Sequence, residues 1–369
     1  MKNWYANVIP LVFVTLIHCF QSNAQSIHLN GTVIDKVTGD PIGYAHVRAG
    51  DIITYSNENG QFNIRVPQGN TEKLEIFHMG YDIFFGNIQT EKPYLVALKP
   101  VEPTHSIEGL NGEEIMREVF NRFHLNYEIH DQFMLSYYRE ELNDDDQIHY
   151  MGEGILELML SSDVGESPSY VRPIKMRVKT LNNIIHKGVD SKSGHATEMI
   201  ESSIWHDKSF LREKNRDNYS YQLVGTEVHR NENIYILDFA PKNKKGYLAG
   251  KIFVDGYTYA IIRLEYTLFD NLVFDTETWI EEFQHHDLIY YLLRASFEGV
   301  WEENGKKYVF RSMIVNTEIE PNRDNTDMNG FIIGNTFAFP IQSQGQFTDE
   351  FWGDYNYIQL TDAEKSALK

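Results

Sequence analysis

The chain has 369 residues, 42% of them hydrophobic, and 33 Lys and Arg against 53 Asp and Glu give a formal net charge of −20. That apolar share excludes disorder as the main state, and 22 Tyr and 22 Phe favour β structure, where rings pack on a pleated surface. The charge repels phosphate backbones and anionic head groups, and no basic patch offsets it, so nucleic acid is excluded as a partner.

The N-terminus reads as an export signal over residues 1–24. Lys2 supplies the positive start, Val8 to Phe20 is mostly apolar, and Ser22-Asn23-Ala24 offers the small residues a signal peptidase reads. The apolar stretch is shorter than the ~20 residues a membrane span needs. The expected location is therefore exported: periplasm, outer membrane or cell surface. The single cysteine, Cys19, leaves with this segment, so thiol catalysis and cysteine metal sites are excluded from the mature chain. No later stretch is long and apolar enough for a transmembrane helix.

From Ser26 to Leu98 short β-type runs alternate with turn residues. Thr38-Gly39-Asp40-Pro41 presets a turn, Asn59-Gly60 supplies the positive φ of a tight hairpin, and Phe62, Ile64 and Val66 alternate with polar residues. Seven such runs over 26–98 predict a small β-sandwich. The strings Gly31-Thr32-Val33-Ile34-Asp35, Thr38-Gly39-Asp40-Pro41-Ile42, Ser56-Asn57-Glu58-Asn59-Gly60-Gln61-Phe62 and Met79-Gly80-Tyr81 resemble the carboxypeptidase-regulatory-like, transthyretin-type domain. Asn57 departs from that pattern, which usually has Asp there. The resemblance implies a module of Gram-negative envelope proteins. It implies no peptidase activity, because the zinc domain that the module accompanies elsewhere is lacking.

Residues 99–109 lose the alternation and hold two prolines, which marks a linker. Beyond it, 110–369 reads as a β-rich domain that opens on one helix. Asn111 caps that helix with Glu114 three residues on, and Met116, Val119, Phe120 and Phe123 share a face. Long runs follow: Phe133 to Leu142, Ile148 to Leu160, Tyr221 to His229, Ile234 to Ala240, Tyr247 to Val254, Tyr259 to Leu268, Leu288 to Trp301 and Lys307 to Ile319. Asp255-Gly256 and Asn304-Gly305 mark tight hairpins, and the alternation predicts a sheet with one dry and one wet face. The polar run Asn182 to Asn218 suits loops and short helices. Ile234 to Phe239, Gly250 to Asp255 and Ala260 to Leu264 resemble consecutive strands of the outer-membrane lipoprotein carrier half-barrel. Phe133 to Glu140, Gly152 to Glu157 and Phe351 to Ile358 resemble the region that follows the sandwich in a group of exported bacterial proteins. The expected fold class is mainly β: a small N-terminal β-sandwich, then a large antiparallel sheet or half-barrel with a few helices.

The sequence holds no His-Glu-x-x-His, Gly-x-Ser-x-Gly or phosphate-cradling glycine loop, so zinc proteolysis, serine hydrolysis and phosphoryl transfer lose their usual supports. Adjacent His285 and His286 point to opposite faces of a strand and do not chelate one ion. Asn143 to Asp146 and Asp324 to Gly330 are oxygen-rich but lack EF-hand spacing. No cofactor or metal is expected. The candidate binding residues are Arg139, Glu140, Glu153 and Glu157, on two consecutive strands where Arg139 can bridge a carboxylate. Tyr137, Tyr138, Tyr150, Tyr290, Tyr291, Phe351, Trp352, Tyr355 and Tyr357 either line an apolar groove or pack the sheet. The expected function is non-catalytic binding of an envelope protein, peptide or lipid on a concave sheet. The alternative is a carboxylate-dependent hydrolase of envelope glycan or peptide.

Overall fold

A computed structural model describes residues 26–50, 52–67, 73–89, 92–101, 109–127, 131–144, 147–161, 167–181, 189, 192–205, 209–229, 232–243, 246–268, 273–286, 289–320, 328–334, 347–353 and 358–368. The leader expected at 1–24, most of the 99–109 linker, Asp145, Asp146, Asp287, Asp324 to Asp327, Tyr355 and Tyr357 lie outside the described residues.

Seven short strands open the chain: β1 (Ser26–Asp35), β2 (His46–Ala49), β3 (Ile52–Tyr55), β4 (Gln61–Pro67), β5 (Leu74–Phe77), β6 (Phe84–Gly86) and β7 (Tyr94–Leu98). They form a three-stranded sheet ordered β4-β1-β7 and a four-stranded sheet ordered β3-β2-β5-β6. Leu29, Val33, Val47, Phe62, Ile64, Val66, Leu74, Ile76, Val96 and Leu98 form the core between them. Alternation dictates this, since each strand turns every second side chain inward. The Asn59-Gly60 turn is not a hairpin between paired strands. It carries the chain from β3 in one sheet to β4 in the other. Gly60 has φ +72 there, and a Cβ would meet the Val33 carbonyl oxygen at 2.3 Å. Asn57 Oδ1 holds the turn by accepting from the amides of Asn59 and Gln61, both at 3.0 Å.

After helix α1 (Gly112–Asn126) come β8 (Gln132–Asp144), β9 (Ile148–Leu160), β10 (Tyr170–Thr180), helices α2 (Ala196–Trp205) and α3 (Glu213–Arg216), then β11 (Tyr219–His229), β12 (Glu232–Pro241) and β13 (Leu248–Asp255). The chain continues through β14 (Ile261–Leu268), β15 (Thr276–His286), β16 (Ile289–Glu303), β17 (Lys306–Glu320), β18 (Ile332–Ile333), α4 (Asp349–Trp352) and α5 (Asp362–Ala367). The eleven strands β8 to β18 make one open antiparallel sheet in the order β11-β12-β13-β14-β15-β16-β17-β8-β9-β10-β18. Asn304 (φ 55) and Gly305 (φ 75) form the two-residue turn between β16 and β17, both residue types that tolerate positive φ. At Asp255-Gly256 the glycine keeps ordinary φ, and Tyr259 (φ 58) takes the left-handed position. The glycine is needed for close approach, because a Cβ would lie 2.6 Å from the Asn233 carbonyl oxygen.

One face of this sheet is covered by α1 and α2, and Ile115, Met116, Val119, Met199 and Ile200 join its large apolar core. Asn111 caps α1, its Oδ1 accepting from the Glu114 amide at 2.9 Å. The other face, expected to be wet, is wet only in part: Asp238, Lys251, Glu298 and Arg311 on it keep more than a third of their side chains exposed, and the rest is covered. Tyr55 from the sandwich, Trp352 and Ile358 pack there on Tyr137, Ile155, Met313 and Val315, and Met79 packs beside Ile236 and Phe253.

Candidate functional site: a charged cavity at the sandwich–sheet seam

Antiparallel register places like positions of neighbouring strands side by side, so a charge on every second residue becomes a row across the sheet. On the sandwich-facing side, Arg263 on β14 lies opposite Glu282 on β15, which lies opposite Arg294 on β16. One step along, Arg177, Glu153, Arg139, Met313, Ser296 and Ile280 follow one another from β10 to β15. A third row runs Glu141, Arg311, Glu298 and Thr278. A strip of Met313, Ser296 and Ile280 is thus flanked by two charged rows.

These rows are ion-paired. Glu282 bonds Arg263, takes Arg294 Nε at 2.9 Å, and accepts from His46 Nε2 at 3.1 Å, which ties β2 of the sandwich to the sheet. Glu153 is fully buried and bonds Arg177 and the Tyr137 hydroxyl, with Arg139 Nη2 at 2.7 Å. Burial alone raises both carboxyls. The guanidiniums of Arg294 and Arg263 outweigh it at Glu282, and those of Arg139 and Arg177 at Glu153, so both sit below the usual carboxylate range. Arg311 Nε donates to Glu298 at 2.7 Å and its Nη1 only weakly to Glu141 at 3.4 Å. Burial, followed by the carboxylates of Glu364 and Glu58, pushes Glu141 up to about 7.

Above the strip lies a cavity of about 400 Å³. Its floor includes Met313, Ser296 and Ile280. Tyr44, Glu58 and His78 wall it from the sandwich, and Ile358, Thr361 and Glu364 from the C-terminal segment. Tyr44 adopts φ 56, which strains a residue with a Cβ. Its ring faces the Arg294 guanidinium at 5.2 Å, and its hydroxyl donates to Glu58 at 3.2 Å. Thr361 and Glu364 form the capping box that begins α5, and Glu364 Oε1 takes Arg139 Nη1 at 3.2 Å. Chemically the cavity offers apolar contact along its floor and carboxylates and guanidiniums along its sides.

Arg139 and Glu153 meet as the period-2 reading anticipates, and Arg139 lines the cavity. Glu157 pairs instead with Arg172, which stacks on Phe331 at 4.8 Å, away from the cavity lining. Glu140 projects from the opposite face, because neighbouring residues of a strand alternate. There it accepts from the hydroxyls of Tyr138 and Tyr150, from Ser193 Oγ at 2.7 Å and from the Gly194 amide at 2.8 Å. Glu140 and Glu153 therefore do not face one another across a cleft. Tyr137, Tyr138, Tyr150, Tyr290, Tyr291 and Trp352 are all buried as packing. Sequence reasoning missed Glu141, Glu364, Arg294 and Arg311. Glu141, two residues from Arg139 on one strand, carried the signal for the same face. His195 Nε2 lies 2.6 Å from Ser312 Oγ and its Nδ1 3.4 Å from Glu198, but Ser312 is 4% exposed and the imidazole is ringed by Trp279, Phe297 and Phe310. Among the described residues no group of three His, Cys, Asp or Glu is placed to hold a metal, and no helix is long and apolar enough to cross a membrane.

No family model matches the chain, and no curated protein matches it. Among solved structures it is similar to a DUF1329 family protein from Desulfovibrio piger, at 13% identity and TM-score 0.29, covering 57% of this chain and 92% of that one. A domain from Vibrio parahaemolyticus described as an outer membrane lipoprotein-sorting protein aligns at 13% identity and TM-score 0.30, over 59% of this chain and 96% of its own. The MucA/MucB complex structure of Pseudomonas aeruginosa aligns at 8% identity and TM-score 0.18, over 57% of this chain and 99% of that chain. Likenesses this loose carry no weight for what the present chain binds.

Proposed function

We propose that this is an exported envelope protein that acts by binding, with a transthyretin-like unit over 26–98 and a β-rich unit over 110–369 closing together on a ligand at their seam. The cavity of about 400 Å³ carries this reading, since both units and the C-terminal segment contribute its walls. A bare acyl chain suits it poorly. Filling the space with hydrocarbon strips water from Glu141 and Glu58 and returns no hydrogen bond. A short peptide segment, apolar along its length and polar at its ends, satisfies both kinds of surface. Arg139, Glu153 and Glu364 then hold the wall in shape, and Glu140 pins the 193–194 turn on the far face. The test is native mass spectrometry of the protein released from a Gram-negative periplasm without detergent, beside Ser296→Phe, which fills the floor. The expected result is a companion mass on the native chain that the variant lacks; a bare native chain, or a companion that Ser296→Phe retains, rejects the cavity as the binding site.

One observation favours a second reading, carboxylate-dependent hydrolysis: Glu141, near 7 and beside Glu364, has the ionisation of a general acid. Turnover of an envelope glycan or peptide that Glu141→Gln abolishes while the fold is kept would establish it.

A further inference from the structure

The side chains around this cavity are unevenly neutralised. Arg139 is paired from behind by Glu153, Arg263 and Arg294 by Glu282, and Arg311 by Glu298. The carboxylates at the other end are less well matched. Glu141 is 8% exposed, and its Oε1 takes both Asn143 Nδ2 at 2.9 Å and the long contact from Arg311, while its Oε2 accepts no hydrogen bond among the described residues. Glu58 is exposed and, among the described residues, takes only the Tyr44 hydroxyl; Glu364 takes the Thr361 amide on Oε2 and, on Oε1, a guanidinium whose Nε and Nη2 both donate to one oxygen of Glu153. A carboxylate oxygen open to the void, on a side chain otherwise buried and with two further carboxylates near it, leaves a place for a cation. Each guanidinium already has a carboxylate partner, and the rings of Tyr44 and Tyr55 cover Arg294, so an anion entering at the Glu141 end would meet carboxylates that repel it.

We propose that the Glu141 end of the cavity seats a primary ammonium group, borne by a peptide amino terminus or a lysine side chain. This rests on the reading of the cavity as the binding site and names what it recognises. Three features of the space fit. The carboxylates of Glu58, Glu141 and Glu364 come from a sandwich turn, from β8 and from α5, so they approach a guest from different sides. Met313, Ser296 and Ile280 continue from that end as a floor, apolar but for one hydroxyl, on which an alkyl stem or a small side chain lies. An ammonium, with three donors and no acceptor, supplies what Glu141 Oε2 lacks. A free carboxylate brings no donor and matches neither the carboxylates nor their charge.

Binding is then linked to protons. The groups facing Glu141 are Arg139 on its own strand, Arg311 on β17, Glu298 on β16, Tyr44 and Glu58 from the sandwich and Glu364 on α5. With Glu141 near 7, a cation arriving beside it displaces a proton, so affinity falls as pH drops below 7. The test is titration calorimetry of the purified protein with three probes: Ala-Leu-Ala-amide with a free amino terminus, acetyl-Ala-Lys-Ala-amide, and acetyl-Ala-Leu-Ala-amide. The expected result is that one of the first two binds at least about tenfold tighter than the capped neutral peptide, with the other showing which source of ammonium fits. Glu141→Gln should lower that affinity at least about tenfold, and the native protein should release protons on binding near pH 7. Equal binding of the capped neutral peptide, no binding of either ammonium probe, or binding without proton release overturns the proposal. Should Glu141→Gln not fold, the proton count of the native chain decides. A companion mass that survives these failures leaves the cavity a binding site and removes only the ammonium assignment.

Discussion

The two faces of the eleven-stranded sheet keep carboxylates dry by different means. On the helix-covered face, Leu237, Ile252, Leu264, Ala295, Ile314 and Tyr138 are aligned across β12, β13, β14, β16, β17 and β8, and Glu281 stands in their row on β15. Glu281 takes the Tyr266 hydroxyl at 2.8 Å, and Glu140 nearby takes two tyrosines, a serine and an amide. Neutral donors suffice there. The sandwich-facing side uses arginine at every turn, and the sandwich itself is held by one of those clusters through His46 and Glu282. The difference teaches that the first face is built to be closed, whereas the second is assembled from charges that tolerate a void beside them.

The sharpest way to break this comparison is at Glu282. Removing a buried carboxylate with two guanidiniums on it leaves charges without compensation, at a cost of about 4 kcal/mol. Glu282→Ala should lose that much in urea denaturation, and the sandwich core should become protease-sensitive as the His46 link goes. A loss below about 1 kcal/mol would show that the arginine rows are solvated decoration rather than the glue of the seam. On the other face, Ile314→Ala should cost about 3 kcal/mol through the cavity it opens in a fully buried row, with the His46 contact untouched.

Glu141→Gln tests the void directly, with the opposite sign. The folded carboxyl sits above its unfolded value, so its contribution to stability is present below about pH 4.5 and disappears as pH rises through 7. The variant removes that penalty and should therefore be more stable than the native chain at pH 8, by on the order of 2 kcal/mol, and no more stable at pH 4. Melting curves across this range measure it. A variant destabilised at pH 8 would mean that Arg311 holds Glu141 ionised, and the two faces would then be equally well paired.

Much of the frame was legible in the sequence, and the reason is local. Asn304-Gly305 fixes its own turn, Asn111 with Glu114 fixes its own cap, and Ile262 to Leu268 shows its alternation without help from partners. The strands β10 and β15 escaped because Arg172, Lys175, Arg177 and Lys179, or Glu277, Glu281, Glu282 and His285, look like wet surface until their partners arrive from other strands. Glu153 needed Arg177, 24 residues away, and Glu282 needed His46, 236 residues away. The cavity was illegible for the same reason, since its walls run from Gly43 to Glu364. Glu140 is the exception. Period 2 alone separates it from Arg139, and only the appeal of a compact polar group joined them.

The smallest expected effect sharpens the comparison from the closed side. Asn111 Oδ1 satisfies one of the orphan amides that every helix start leaves open, and Asn111→Ala should cost about 1 kcal/mol. The helix it caps is held mainly by Ile115, Met116 and Val119 in the apolar core, so the loss should stay local, and Asn111→Asp should restore it. Amide exchange provides the readout: the first turn of α1 should lose protection while β2 and β15, which meet through His46 and Glu282, keep theirs. If protection at that seam falls too, the faces are coupled through the strands between them. The covering helices would then reach the cavity by bending the sheet, and the division of labour drawn here would have to give way to a single cooperative unit.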